Sequence, residues 1–390
     1  MPSETCLSAK EIFEKSQEVI PGGVNSPVRA CCGLGITPPI IARGEGDTIT
    51  DVEGNTFIDY CMSWGALLHG HAHPEIVSRA QAQVARGSTF GIPTAIEEKL
   101  ARKMVEEVAG LEQVRFVSSG TEATMSAIRL ARGHTGRSLF IKFEGNYHGH
   151  ADMGETITLP YNDVEAFRSA MSDEVAGVIV EPIAGNMGVV PGAQEFLEVL
   201  REETKRVGAV LIFDEVISGF RSQFGASQEV ADLSCFGKIV GGGFPAAAFG
   251  GKREIMQKLA PVGKVFQAGT LSGNPVAMEA GLAALELASL PGFYEELKRK
   301  GEIITKPVRE AMRGGCLQEA VGMFTLFFGP EKVERFEKLD HERFGEYFRF
   351  MWERGIYVSP SPYEASFISM AHTDAHLEKT RDTMLEFLCG

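Results

Sequence analysis

Short apolar runs that alternate with amphipathic stretches constrain this chain more than any other feature. Helical spacing at 94–108, in the stretch running to about 132, and at 194–206 is interleaved with VRFVSS (114–119), SLFIKF (138–143), AGVIVEP (176–182), GAVLIFDE (208–215) and GKIVGGG (237–243). Continuous apolar strands have no polar face to show to water, so each must be covered on both sides, and the intervening helices supply the covers. The fold class that follows is α/β, a mostly parallel sheet covered by helices. Its large domain is expected at 66–290. Outside it the pattern changes. Residues 7–19 have helical spacing that must stop before Pro21-Gly22-Gly23, and DTITDVEGNTFIDY (47–60) reads as two strands joined by a turn at Glu53-Gly54-Asn55. After Pro275 a helix leads into MFTLFF (323–328) and SFISMAH (366–372), so 1–65 and 291–390 are read as an N-terminal segment and a smaller α+β domain.

In an open α/β sheet, ligands bind beyond the carboxyl ends of the strands, so polar residues that follow apolar runs are the ones to weigh. Ser118-Ser119-Gly120-Thr121 ends a strand and opens a helix, which offers free N–H groups and a positive dipole end to a phosphate; a simple Ser/Thr cap is the plainer reading. Asp214 follows VLIF, where a carboxylate is desolvated and needs a cationic partner: a protonated ring nitrogen, or an Arg or a loop to cap. Lys238 stands beside a backbone stripped of side chains at Gly241-Gly242-Gly243, and a lysine buried in such a place loses proton affinity and becomes a nucleophile toward carbonyls. The order of this segment does not match the nucleotide loop GxxxxGK[ST]. Tyr147, in YHGH after SLFIKF, offers a ring to stack on a flat heterocycle. Alternate histidines at 69, 71 and 73 lack the carboxylate pattern of a metal site and read as loop and cap residues, so no metal is expected.

Charge narrows the partners. A formal charge of −14 repels phosphate backbones and anionic headgroups, which argues against nucleic acid and membrane surfaces. Seven cysteines form no CxxC pair, and the N-terminus lacks the apolar stretch of a secretory signal, so a cytoplasmic protein is expected.

Phosphate cup, stacking Tyr, strand-end Asp and Gly-flanked Lys, in that order, resemble the fold type I enzymes that use pyridoxal phosphate. SSGTEA (118–123), FDEVISGFR (213–221) and GKIVGGGFP (237–245) resemble the class III aminotransferases among them, over nearly the whole chain. PGGVNSPVRA (21–30), EPIAGNMGVV (181–190), GTLSGNPVAM (269–278) and YEASFISMAHT (363–373) are similar to the branch whose members isomerise glutamate-1-semialdehyde to 5-aminolevulinate for tetrapyrroles. That resemblance implies a pyridoxal 5'-phosphate / pyridoxamine 5'-phosphate cofactor, a 4,5-diaminovalerate intermediate and a homodimer. It makes Lys238 the catalytic, cofactor-bearing lysine and Asp214 the partner of the ring nitrogen. Tyr147 covers the ring, Asn186 lies at its hydroxyl edge, and Ser119, Gly120 and Thr121 hold the phosphate, with Thr270 reaching the neighbouring subunit's phosphate. Ser26 and Arg29 bind the substrate carboxylate, Trp64 walls the pocket, and Glu364 favours an amino group. A class III ω-aminotransferase acting on another amino acid, or a cofactor-binding protein without a lid, are the alternatives. The resemblance also implies a long small-residue lid after Asp152, where only Met153 to Ile157 precede TLPYND; the expectation is a mobile segment and a wide chain break between 150 and 158. The sequence is short again at 224–232 and 334–342.

Overall fold

The computed structural model describes residues 7–227 and 231–390. Seven strands form the central sheet in the order Gln113–Val117, Ala247–Gly251, Leu233–Phe236, Val210–Glu215, Val175–Val180, Leu139–Phe143, Thr156–Leu159. Val210–Glu215 runs parallel to both of its neighbours, as Leu139–Phe143 does to its own; Ala247–Gly251 alone is antiparallel to the strands beside it. One expected strand is corrected. Residues 237–243 do not extend: the strand is Leu233–Phe236, and Lys238–Gly241 is a 3-10 turn with Lys238 at φ +49 and Gly242 at +58. The glycines that looked like a bare strand are turn residues, there because the backbone has to reverse.

The strands are apolar throughout because the sheet has two covered faces. Ile179 and Ile212 pack with Phe140 and Cys235 against Ala127, Leu130 and Ala131 of the helix Gly120–Thr135. Their neighbours Val178, Val180, Leu211 and Phe213 point the other way, onto Phe167, Phe196 and Leu200 of the helices Val164–Ala170 and Gln194–Val207. Successive side chains of a strand alternate between faces, and here both alternates must be apolar.

Around this sheet the two ends of the chain meet. Strands Thr48–Asp51 and Thr56–Asp59 form the expected hairpin, extended by Ile41–Glu45 on one side and by Ile356–Tyr357 from the C-terminal part on the other. Met323–Phe328 pairs with Gly315–Ala320 and with Ser366–Phe367; the run SFISMAH contributes only those two residues to a strand. Among the described residues no single helix is long and apolar enough to cross a membrane.

The expected chain break between 150 and 158 is absent. The backbone runs through a short turn, with Gly154 N–H donating to Asp152 Oδ1 (2.7 Å), Arg132 Nη2 to Met153 O (2.5 Å) and Phe140 N–H to Glu155 O (3.0 Å). Glu155 leads straight into the edge strand Thr156–Leu159, so these few residues span the distance without a lid. The short stretch at 224–232 falls partly on 228–230, outside the described residues.

The helix Pro275–Ala288 is apolar almost all round and seats the Lys238 turn. The contact is backbone to backbone: a Cβ on Gly242 would stand 2.3 Å from Ala280 O, and one on Gly281 2.1 Å from Val240 O. Gly281→Ala is therefore expected to push helix and turn apart, costing about 1–3 kcal/mol in denaturant unfolding. A variant as stable as the parent would mean that the helix retreats without penalty.

Candidate active site

Parallel strands that start together end together, and here their carboxyl ends gather the polar residues. Ser118 follows Val117, Tyr147 lies four residues past Phe143, Glu181 follows Val180, Asp214 is paired in register with Cys235, and Lys238 lies two residues past Phe236. They open onto one cleft of about 760 Å³. Ser26, Arg29, Trp64, Ser119, Gly120, Thr121, Tyr147, Asn186, Asp214, Lys238 and Glu364 all line it, so residues as far apart in sequence as Ser26 and Glu364 share one surface. Thr270 does not; it is exposed on a loop outside the cleft.

Ser119 caps the helix Gly120–Thr135, its hydroxyl accepting from Glu122 N–H at 3.2 Å. The amides of Gly120 and Thr121 belong to the first turn and have no partner within the helix, so they and the dipole end face the cleft. Gly149 presses the Tyr147–His150 loop onto this terminus: a Cβ there would come within 2.4 Å of Thr121 Oγ1 and 2.7 Å of its Cα. Tyr147, more than half exposed, projects into the cleft beside it.

Asp214 is buried, and its partner is a residue to which the sequence assigned no role. Oδ2 lies 2.7 Å from His148 Nδ1, and Oδ1 accepts from Val216 N–H at 3.1 Å. His148 is itself buried, and among the described residues its Nε2 has no partner. Glu181 is the second residue missed, although it carries the signal that singled out Asp214, a carboxylate directly after a buried strand. It accepts from Tyr147 N–H (2.7 Å), Gly185 N–H (2.9 Å) and the Asn186 amide (3.1 Å), and so ties the Tyr147 loop to the hairpin of Ile183–Ala184 and Val190–Pro191 that carries Asn186. Burial, then the nearby Asp214 charge, raise its pKa, against His148 and the two N–H donors.

Desolvation lowers the Lys238 pKa, opposed by the charges of Glu364, Glu181 and Asp214, so the amine gives up its proton more readily than a surface lysine. Burial pushes Glu364 up to about 7, with Lys238 pulling the other way. Trp64 reaches the cleft from an unusual backbone: Met62, Ser63 and Trp64 are all left-handed, at φ +44, +52 and +60. Of the three histidines of the 69–73 stretch, His69 lies 2.8 Å from Ala284 O and His71 2.8 Å from Asp59 Oδ2, while His73 occupies the N-cap position of the helix Pro74–Val84 with no side-chain capping bond.

The donor set fits a flat, anionic pyridine cofactor. Free amides at a helix N-terminus suit a phosphate, Tyr147 offers a ring, the Asp214–His148 pair suits a protonated ring nitrogen, and Lys238 presents an amine where a carbonyl can reach it.

Comparison with known proteins agrees. The family described as Aminotransferase class-III matches residues 35–160 and 153–361, two pieces that meet where the expected lid is short. The chain is 49% identical to the glutamate-1-semialdehyde 2,1-aminomutase of Protochlamydia amoebophila (strain UWE25), covering 97% of this chain and 98% of that protein. Among solved structures it superposes with a TM-score of 0.92 on an omega-transaminase from Sphaerobacter thermophilus, 32% identical over 99% of this chain and 98% of that one. A transaminase with PLP bound gives 0.89 at 28% identity, over 98% and 97%.

The Glu364 shift has a consequence for stability. A carboxyl whose pKa is raised by folding resists ionisation there, so its contribution to stability falls as pH climbs from its ordinary 4.5 toward about 7 and is fully lost above. In cofactor-free protein, the denaturation midpoint of Glu364→Gln is expected to gain on that of the parent through this window and then hold level. A gap that does not change with pH would show a solvated carboxylate.

Proposed function

The chain belongs to the class III aminotransferases, and from that footing we propose that it is a glutamate-1-semialdehyde 2,1-aminomutase. It exchanges the amino and oxo groups on adjacent carbons of glutamate-1-semialdehyde, giving 5-aminolevulinate for tetrapyrrole synthesis with pyridoxal 5'-phosphate / pyridoxamine 5'-phosphate as cofactor. The observation that carries this reading is the meeting, in one cleft, of Lys238, the Asp214–His148 pair and the helix N-terminus at Gly120 with Arg29 and Glu364.

When bound, the cofactor supplies an electron sink for the carbon next to its nitrogen. The chain's own residues do the rest. Gly120, Thr121 and Ser119 hold the phosphate, Tyr147 covers the ring and Asn186 stands at its edge. Asp214, oriented by His148 and kept from water, holds a proton on the ring nitrogen. Lys238 would carry the cofactor, and as a free amine whose proton affinity burial lowers it would move protons to and from the reacting carbons. Arg29, with Ser26, receives the substrate carboxylate through a paired N–H fork. Trp64 keeps water from the reacting carbons, and Glu364 attracts an amino group. Because both nitrogen transfers happen on one molecule, 4,5-diaminovalerate must stay bound between them.

A homodimer completes the reading. Phe266 and Leu271 are 67% and 53% exposed on the loop that carries Thr270. Arg129 Nη1 ties that loop to the cofactor-facing helix through Phe266 O (3.0 Å), and Met125, one turn earlier, is exposed as well. An apolar patch bordering the phosphate helix suits a second copy that lends Thr270 to this cleft. The six described cysteines are all free thiols, which suits a cytoplasmic enzyme.

The superposition on an omega-transaminase favours one rival, transfer to a separate acceptor. The test is incubation with glutamate-1-semialdehyde alone: 5-aminolevulinate forms if the chain is an aminomutase, and product that requires an added amino acceptor supports the rival. Lys238→Ala is expected to keep the fold and lower turnover by about a thousandfold or more; a normal rate would remove Lys238 from the chemistry. Phe266→Asp is expected to convert a dimer to monomers in sedimentation, and a parent that is already monomeric would refute the shared site.

A further inference from the structure

Arg221 ends the FDEVISGFR motif and lies outside the cleft, yet it is fully buried. Among the described residues no carboxylate pairs with it. Nη2 donates to Gly65 O, Nη1 to Ile368 O at 3.0 Å, the guanidinium stands 5.3 Å over the Phe367 ring, and Nε has no partner among the described residues. Desolvation lowers its pKa to about 10. A buried unpaired cation is costly, so what it touches is informative.

Gly65 closes the left-handed run Met62–Trp64, and each non-glycine residue in that conformation needs its surroundings to hold it. At the start of the run Asp59 Oδ1 accepts from Cys61 N–H (2.8 Å) and Met62 N–H (3.2 Å), with Oδ2 on His71. At its end Arg221 donates a side-chain hydrogen bond to Gly65 O. Gly65 is pressed so closely on Phe367 that a Cβ would meet the ring at 2.6 Å. Ile368, which takes the other arm of the guanidinium, lies four residues past Glu364. The two carbonyls that Arg221 bridges therefore belong to the two segments that present Trp64 and Glu364 to the cleft.

We infer that Arg221 is a positioning residue for substrate recognition: it clamps the Trp64 loop to the Glu364 segment and so sets the spacing of two walls of the substrate site. The assignment of a substrate to those walls rests on the function proposed above; the clamp itself does not. Only a planar fork reaches both carbonyls, so Arg221→Lys keeps the charge and loses the bridge.

The test separates the two claims. The chain has two tryptophans, so in a Trp352→Phe background Trp64 is the sole emitter. Acrylamide quenching of Trp64 is expected to rise in Arg221→Lys while far-ultraviolet dichroism and the bound-cofactor absorbance stay as in the parent. With glutamate-1-semialdehyde, KM is expected to rise about tenfold, the loss of one charge-assisted hydrogen bond, with kcat changing less. Combined with Trp64→Ala, Arg221→Lys should add little to the KM of Trp64→Ala alone. Unchanged quenching in a folded variant overturns the clamp, as does additivity in the double variant. Raised quenching in a protein whose parent has no aminomutase activity keeps the clamp and discards the substrate. Should Arg221→Lys not fold, Arg221→Gln, which is neutral, takes its place; if both unfold, Arg221 is a core strut and the inference falls.

Discussion

The cleft depends on parallel register. Val210–Glu215 pairs in the same direction with Leu233–Phe236 and Val175–Val180, so Asp214, Lys238 and Glu181 emerge at one edge, a strand spacing apart. No loop has to travel far to bring them together, and the helices on both faces keep water from the strands that carry them. The one antiparallel strand, Ala247–Gly251, lets Gln113–Val117 join with its carboxyl end at that same edge, which brings in the Ser119 helix.

Gathering acids and an amine in a dry place sets their chemistry. Burial is the largest influence on Lys238, Glu181 and Glu364 alike, and in each case it favours the neutral form. For Lys238 and Glu364 mutual attraction works against it and is the smaller effect, while for Glu181 the Asp214 charge adds to it. Asp214 is treated differently. It has a buried histidine at 2.7 Å and a backbone donor at 3.1 Å, so both carboxylate oxygens are hydrogen-bonded.

Strained backbone collects at the cleft as well. Lys238 and the Met62–Trp64 run occupy left-handed conformations that side chains ordinarily avoid, and both are braced from behind, the first by the close Gly242–Gly281 contact and the second by Asp59 and Arg221. Such conformations persist only where the surrounding structure overdetermines them.

The alternation of apolar runs determined the α/β class, the covered sheet and most element positions, because a strand buried on both faces has no other composition open to it. Motif order likewise made Lys238, Asp214, Tyr147 and the Ser119–Thr121 cap legible, since each stands directly after such a run or in the loop that follows it. Other features needed the tertiary structure. The Lys238 segment read as a strand because glycines leave no periodicity, and only packing against the helix Pro275–Ala288 bends it into a turn. The short passage after Asp152 read as a missing lid, and only the pairing of Thr156–Leu159 with its neighbour shows that it closes without one. His148 carried no mark of its partner, because a hydrogen bond across 66 positions leaves no local pattern. Arg221 had none either: its partners are backbone carbonyls at 65 and 368, and a carbonyl is the same in every residue, so no sequence motif can announce it.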